Sequence, residues 1–324
     1  MLRALTETKE IQKFRETLNK IKPSVVHFAS FDIDKPAKFI TAAKEFGAKI
    51  VLQPWTMGFW CAQGFAFTKQ QQCFQCARGQ FTRALSNKCI TSSGLMRQFE
   101  RIKLRRSALA SDIFLSSNVD LDSVLESYGV NRTRIKRFPV PFDCTTIPIK
   151  AEEEDYFIFY GQPNEHKGFN VLINTFSKIP HIKLKAFPLS RFNSTEAPPQ
   201  NVEITNHIGW SNGLAGLLAR SRGVVIPSLW ATTTEYALYE AQLYQKAIVA
   251  FNVGAHKNLL SNRVNALVVA PGDLVAFADA IEELNNNKEL RTRLGRQSFI
   301  DLIDTNDMES LSKLLHDIYL KEPS

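Results

Sequence analysis

No stretch of these 324 residues approaches the ~20 consecutive apolar residues that a membrane-spanning helix needs. The N-terminus, MLRALTETKEIQKF, carries charges where a secretion signal needs an apolar run, so a cytoplasmic location is expected. Cysteine is scarce, at five residues, and without an export signal disulfides are the lesser use of it. There is no internal repeat and no extended low-complexity tract beyond Gln70–Gln72 and Asn285–Asn287. No zinc-finger or aromatic RNA-binding motif accompanies the basic residues, so no nucleic-acid partner is expected, and a nucleic-acid-binding protein is the weakest reading. With 44% hydrophobic and 22% charged residues the chain reads as folded, and its length suits two domains.

The charge is unevenly placed. The net +8 divides into +12 over residues 1–150 and −4 over residues 151–324. Such asymmetry points one half at an anionic surface, and a membrane bearing an acidic acceptor fits best. A helix over 95–110 strengthens this expectation. Leu95, Phe99, Ile102 and Leu109 share one side of it, and Arg97, Arg101, Lys103, Arg105 and Arg106 crowd the remainder. That pattern suits docking on anionic headgroups, or a core-packing helix with a solvated basic face.

Strands and helices alternate along the chain. The first half reads as a helix over 6–21, a strand at Ser24–Phe28, a helix through Lys38–Phe46 closed by Gly47, and a strand at Lys49–Gln53. A strand at Asp112–Ser116, a helix over 118–128 and a strand at Ile135–Pro139 follow. The Pro-rich segment PVPFDCTTIPIK reads as a linker. In the second half, strands are predicted at Tyr156–Tyr160, Ile182–Phe187, Val202–Asn206, Gly223–Pro227, Ala247–Phe251 and Ala266–Val269. The expectation is α/β: two Rossmann-like domains with parallel sheets, 1–146 and 147–324, the first incomplete at four strands. In this class ligands bind beyond the carboxyl ends of the strands.

Two segments carry chemistry. In GVVIPSLWATTTEYALYEAQLYQKAIV (223–249) a buried strand ends at Pro227-Ser228, a polar loop follows, and a helix starts near Glu235 with Glu240 one or two turns in. Helix starts present free N–H groups and partial positive charge, which suit phosphates, and a carboxylate further along can accept from a pair of sugar hydroxyls. In FYGQPNEHKGFN (159–170), Lys167 is a flexible cation at a helix start, able to neutralise a phosphate. The cysteines read C-x11-C-x2-C-x12-C over Cys61, Cys73, Cys76 and Cys89. The set suits a tetrahedral structural zinc, or free thiols in a loop.

Together these segments resemble the donor site of glycosyltransferase family 4, in the two-Rossmann-domain architecture called GT-B. Glu240-Ala241 match the Glu-Ala that ends the family's Pro-Ser, aromatic, Glu, Glu-Ala signature; Gly161, Lys167 and Gly168 match its strand–loop–helix turn. Ile208-Gly209-Trp210 resembles the segment around the nucleobase. The resemblance covers 155–300 well and extends loosely to Lys22–Asp143 through KPSVVH. It implies a sugar nucleotide held by Gly161, Gln162, Gly209, Thr232, Thr233, Thr234, Tyr236, Ala237 and Glu240. Lys167 would stabilise the leaving diphosphate, and Glu240 would anchor the ribose.

The chain also departs from the family. Gln162 replaces an Arg, and Thr232 stands where the first Glu falls. Glu235 occupies a usual Gly position and supplies a shifted catalytic carboxylate toward the donor sugar. Trp55-Thr56 replace a functional His or His-Asp, and His27 is no obvious substitute. The implied function is retaining transfer from a nucleotide-diphosphate sugar to a polysaccharide or lipid-linked glycan, with no cofactor in catalysis. The alternative is a non-catalytic nucleotide-sugar-binding remnant or a subunit completed by another chain. Only 21 residues precede KPSVVHF, too few for a further strand–helix–strand unit of about 30 residues. An open sheet edge, and with it a partner chain or homo-oligomer and weak activity of the chain alone, are therefore expected.

Overall fold

The computed structural model describes residues 8–29, 36–58, 61–76, 78–91, 102, 105–190, 192 and 197–320. Two compact units emerge. One comprises Met1–Lys69, Cys73–Phe138 and Ser312–Ser324, and the other Gln70–Gln72 with Pro139–Leu311.

The first unit is built on four parallel strands in the order β1 (Val25–Ala29), β2 (Lys49–Gln53), β5 (Ile113–Ser116), β6 (Ile135–Arg137). β2 and β5 are almost continuously apolar and buried, as strands covered on both faces must be. Helix α1 (Lys9–Ile21) buries Ile11 and Leu18, seven residues apart on one face, and sets Phe14 edge-on to Phe39 of α2 (Pro36–Phe46) with centroids 5.0 Å apart. Helix α4 (Val119–Ser127) starts on Asn118, whose side chain accepts from the Leu121 N–H, and Gly129 follows its end with φ +86°. Between β2 and residue 91 the described chain is mostly irregular. It holds two-residue strands β3 (Phe67–Thr68) and β4 (Gln71–Gln72, grouped with the second unit) and the one-turn helix α3 (Arg83–Ser86). The expected basic helix falls largely outside the described residues. Of it, 105–109 are helical, and the Arg105 guanidinium lies 3.6 Å from the Tyr128 ring centroid.

The final helix, α11 (Met308–Leu320), begins in the second unit and ends in the first. Two carbonyls of its last described turn are met by Lys49 Nζ: Ile318 O at 2.7 Å and Tyr319 O at 3.0 Å.

The second unit carries six parallel strands in the order β12 (Leu267–Val269), β11 (Ala247–Phe251), β10 (Gly223–Ile226), β7 (Phe157–Gly161), β8 (Leu184–Pro188), β9 (Val202–Ile204). Helices α5 (Phe169–Lys178), α6 (Leu214–Arg220), α7 (Tyr236–Leu243), α9 (Leu274–Asn286) and α10 (Lys288–Thr305) connect or flank them. The core packs Phe251 on Phe277 at 4.4 Å between centroids and fully buries Phe157, Phe169 and Phe176. From β7 the chain runs outward through β8 and β9, then returns to the far side of β7 for β10, β11 and β12. The strand order therefore reverses between β7 and β10. In open parallel sheets the loops leaving such a pair diverge and leave a crevice.

Candidate active site at the strand-order switch

Both loops that leave the switch point carry the residues singled out by sequence. After β7 the chain passes Gly161 and the exposed Gln162, makes a single 3-10 turn over Glu165–Lys167, and enters α5 through Gly168. Gly168 has φ +72°, and a Cβ there would lie 1.9 Å from the Pro227 carbonyl oxygen. Only glycine permits that approach. The Leu229 N–H donates to His166 O at 2.9 Å, which ties the two loops together. The approach delivers Lys167 to the end of β10.

There Lys167 meets Glu235. Its Nζ donates to Glu235 Oε1 at 2.7 Å and lies 5.2 Å from the Trp230 ring centroid. Glu235 immediately precedes α7, yet its side chain does not cap that helix. Its carboxylate is turned inward and 9% exposed, accepting from Ser228 Oγ at 2.8 Å through Oε1, while Oε2 lies 3.1 Å from His256 Nε2. His256 opens the short helix α8 (His256–Leu259), is fully buried, and places Nδ1 2.8 Å from Phe251 O. Both ring nitrogens thus face oxygen atoms, one of the backbone and one of Glu235. Burial pushes the Glu235 carboxyl up, but Lys167 and His256 overrule it and hold the group well below the ordinary carboxylate range. Burial, reinforced by the Lys167 charge, lowers His166 to about 4.

Glu240 lies further along α7, half-buried. Burial raises its carboxyl to about 7, opposed by the neighbouring Tyr160 and Trp210 side chains, which favour the charged form; the Tyr160 hydroxyl itself donates to Ala237 O at 3.2 Å. Tyr160, near the end of β7, is itself pushed well above the ordinary phenol range by burial, then by Glu240, with a contribution from Glu235. Trp210, which follows Gly209, is 44% exposed and lies edge-on to Tyr160.

The remaining loop residues sort by depth. Thr232 and Thr233 are buried. The Thr232 hydroxyl donates to Thr234 O, and its carbonyl accepts from the Ala255 N–H at 2.8 Å. Gly254 packs so closely on this turn that a Cβ would lie 2.3 Å from Thr232 O. Tyr236 is exposed and Ala237 half-buried at the start of α7. The structure thus brings Lys167 and Glu235 into direct contact and sets Glu240 on the same helix. Thr232 is folded inward, Gln162 points outward, and both Glu235 oxygens are occupied by protein groups. Sequence reasoning passed over Ser228, Trp230 and His256 as contacts of the Lys–Glu pair, and Tyr160 and Trp210 as partners of Glu240.

In the first unit His27 lies in the middle of β1, with Nδ1 2.7 Å from the Tyr319 hydroxyl. Burial lowers its pKa, with the neighbouring Gln53 side chain opposing the shift. Trp55 is half-buried beyond β2. Cys61, Cys73, Cys76 and Cys89 are free, half-buried thiols, and burial followed by the other three cysteines pushes the Cys76 thiol up to about 11. Among the described residues no helix is long and apolar enough to cross a membrane.

Residues 154–287, a span that contains every residue of this cluster, match the family described as glycosyl transferases group 1. Over 221 residues the chain is 26% identical to the O-antigen chain mannosyltransferase C of Escherichia coli, covering 63% of this chain and 59% of that protein. The chain therefore spans less than two thirds of the curated relative it matches. Its fold is similar to that of sucrose-phosphate synthase from Thermosynechococcus elongatus, with TM-score 0.69 and 13% identity over 96% of this chain and 76% of that one. It is also similar to Anabaena HepE in complex with UDP, with TM-score 0.68 and 11% identity over 95% and 80%. At these identities the likeness establishes the fold, the paired Rossmann-like α/β architecture of GT-B proteins.

Proposed function

We propose, from a chain of GT-B fold whose residues 154–287 belong to the glycosyl transferases group 1, that it transfers a sugar from a nucleotide-diphosphate donor to a polysaccharide or lipid-linked glycan. The anomeric configuration is retained. The observation that carries this reading is the Lys167–Glu235–His256 cluster at the strand-order switch of the second sheet, with Glu240 on the adjoining helix.

Lys167 meets the leaving diphosphate, where negative charge grows in the transition state. Glu235, with both oxygens occupied, acts as a positioning residue that aims Lys167; Tyr236 and Ala237 at the exposed start of α7 are placed to face the donor. Glu240 holds the ribose hydroxyls, and Trp210 with Gly209 borders the base. Lys167 and the start of α7 supply the positive potential, so catalysis calls for no metal. The HepE structure is in complex with UDP, which supports a nucleoside diphosphate as the ligand class here. The excess positive charge of residues 1–150 supports an acidic, membrane-associated acceptor.

A second reading has its own observation. Thr232, where a sugar-contacting carboxylate is expected, is buried and bonded to its own loop, which favours a protein that binds sugar nucleotides without transfer. Incubation with a panel of nucleotide sugars and lipid-linked glycan, followed by NMR of the product anomer, separates the two. Transfer with the donor's anomeric configuration supports the enzyme. Inversion removes the retaining mechanism, and tight donor binding without turnover favours the second reading.

A further inference from the structure

The described residues of the segment 54–91 carry few core contacts. From Pro54 to Thr91 the described apolar core residues are Met57, Ala66, Phe67 and Ala84, and regular structure is limited to two two-residue strands and one helical turn. A stretch with so sparse a core needs a staple, and small folds use disulfides or a metal for that purpose. The cysteines here are free thiols.

Those thiols converge. Cys61, Cys73, Cys76 and Cys89 come from separate turns, yet all four line one cavity, walled also by Met57 and Val124. Each is fixed by a backbone bond of its own turn. The Cys61 N–H donates to Met57 O at 2.7 Å, the Cys73 N–H to Ala66 O at 2.7 Å and the Cys89 N–H to Ala84 O at 2.8 Å. The Gly79 N–H donates to Cys76 O at 3.1 Å and closes the turn after the C-x2-C pair. Cys76 O also accepts from the Tyr128 hydroxyl at 2.7 Å, and the Tyr128 ring lies under Arg105. Arg83 borders the same cavity.

We infer that Cys61, Cys73, Cys76 and Cys89 bind one structural zinc ion that staples the segment 54–91 of the first unit. A C-x2-C pair with two distant cysteines is a common donor set for tetrahedral Zn(Cys)4. Binding converts four thiols to thiolates and releases their four protons to solvent, leaving a complex of net charge −2. Arg83 at the cavity and the cationic first half of the chain offset that charge. As the side chains stand, no group of three or more His, Cys, Asp or Glu among the described residues is arranged to hold a metal ion. Zinc loading therefore requires the four side chains, which share the cavity, to turn toward one another. The site is independent of the donor cluster, which lies in the other unit.

The test is elemental analysis of the full chain purified without chelator from zinc-replete medium. The expected content is about one zinc per chain, lost in Cys76→Ser and kept in Cys144→Ser, whose cysteine lies outside the cluster. Cobalt substitution of the native chain gives the thiolate charge-transfer and intense visible bands of a tetrahedral tetrathiolate, which decides the matter should Cys76→Ser fail to fold. A folded native chain free of zinc, disulfides linking these cysteines, or undiminished zinc in a folded Cys76→Ser overturns the proposal.

Discussion

Replacing Glu240 with Gln moves stability and binding in opposite directions. In the ligand-free fold the Glu240 carboxyl is raised from 4.5 to about 7, first because burial disfavours its charge. The fold therefore holds this proton more tightly than the unfolded chain does. Its stability is full below the ordinary carboxylate range, declines as pH rises from about 4.5 to 7, and carries the whole cost above that. At about 1.4 kcal/mol per pH unit the cost has a ceiling near ~3 kcal/mol, and water reaching a half-buried side chain lowers it to about 1–2 kcal/mol. Glu240→Gln keeps the shape and removes the charge. Urea denaturation should show the variant more stable by that amount at about pH 8 and nearly unchanged at about pH 5. Calorimetry should show the reverse for nucleotide: a loss of roughly 1–3 kcal/mol, the scale of charge-assisted hydrogen bonds, with discrimination between ribo- and deoxyribonucleotides gone. A variant less stable at pH 8, an equal gain at both pH values, or unchanged nucleotide affinity refutes the reasoning.

Three further outcomes follow from the cluster. Lys167→Ala strips the main cation from a buried carboxylate, so urea denaturation should report a loss of about 2–4 kcal/mol, below the full cost of breaking a buried pair because His256 and Ser228 remain. Gly168→Ala puts a side chain against the Pro227 carbonyl at φ +72° and should cost at least about 2 kcal/mol or leave the chain insoluble. Wild-type thermal stability would contradict the assigned loop packing. Glu235 is held below the ordinary carboxylate range, so its stabilisation is present above about pH 4.5 and drains away as pH falls below that. Glu235→Gln should therefore be destabilised near neutrality, with the gap to the native chain closing in acid, as followed by circular dichroism.

The sequence makes the sheet strands legible because parallel strands buried on both faces read as short apolar runs: Lys49–Gln53 and Ala247–Phe251 are found where expected. The edges drift where polar residues end a strand, so the expected Ile182–Phe187 is Leu184–Pro188 in the fold. β3, β4 and α3 are too short for any periodicity to announce them. Lys167 and Glu235 stand out in sequence because each sits at a strand–loop–helix turn. Their contact does not, since 68 residues separate them and only the reversal of strand order between β7 and β10 brings the loops together. His256, 21 residues beyond Glu235, reads as one polar residue in a turn. Its burial follows from Gly254 and Ala255 folding against the backbone of Thr232, a close approach that no local pattern reveals. Thr232 is turned inward by the same clamp.

The central claim, that the Lys167 cluster at the strand-order switch is a donor-nucleotide site, is tested most directly by calorimetric titration with UDP, GDP, ADP and CDP. Native chain and Lys167→Ala are compared under one buffer. The account predicts that at least one diphosphate binds the native chain and that Lys167→Ala weakens it by about tenfold or more, the scale of a lost charge-assisted contact. No binding by any of the four, or equal affinity in the two proteins, would contradict it.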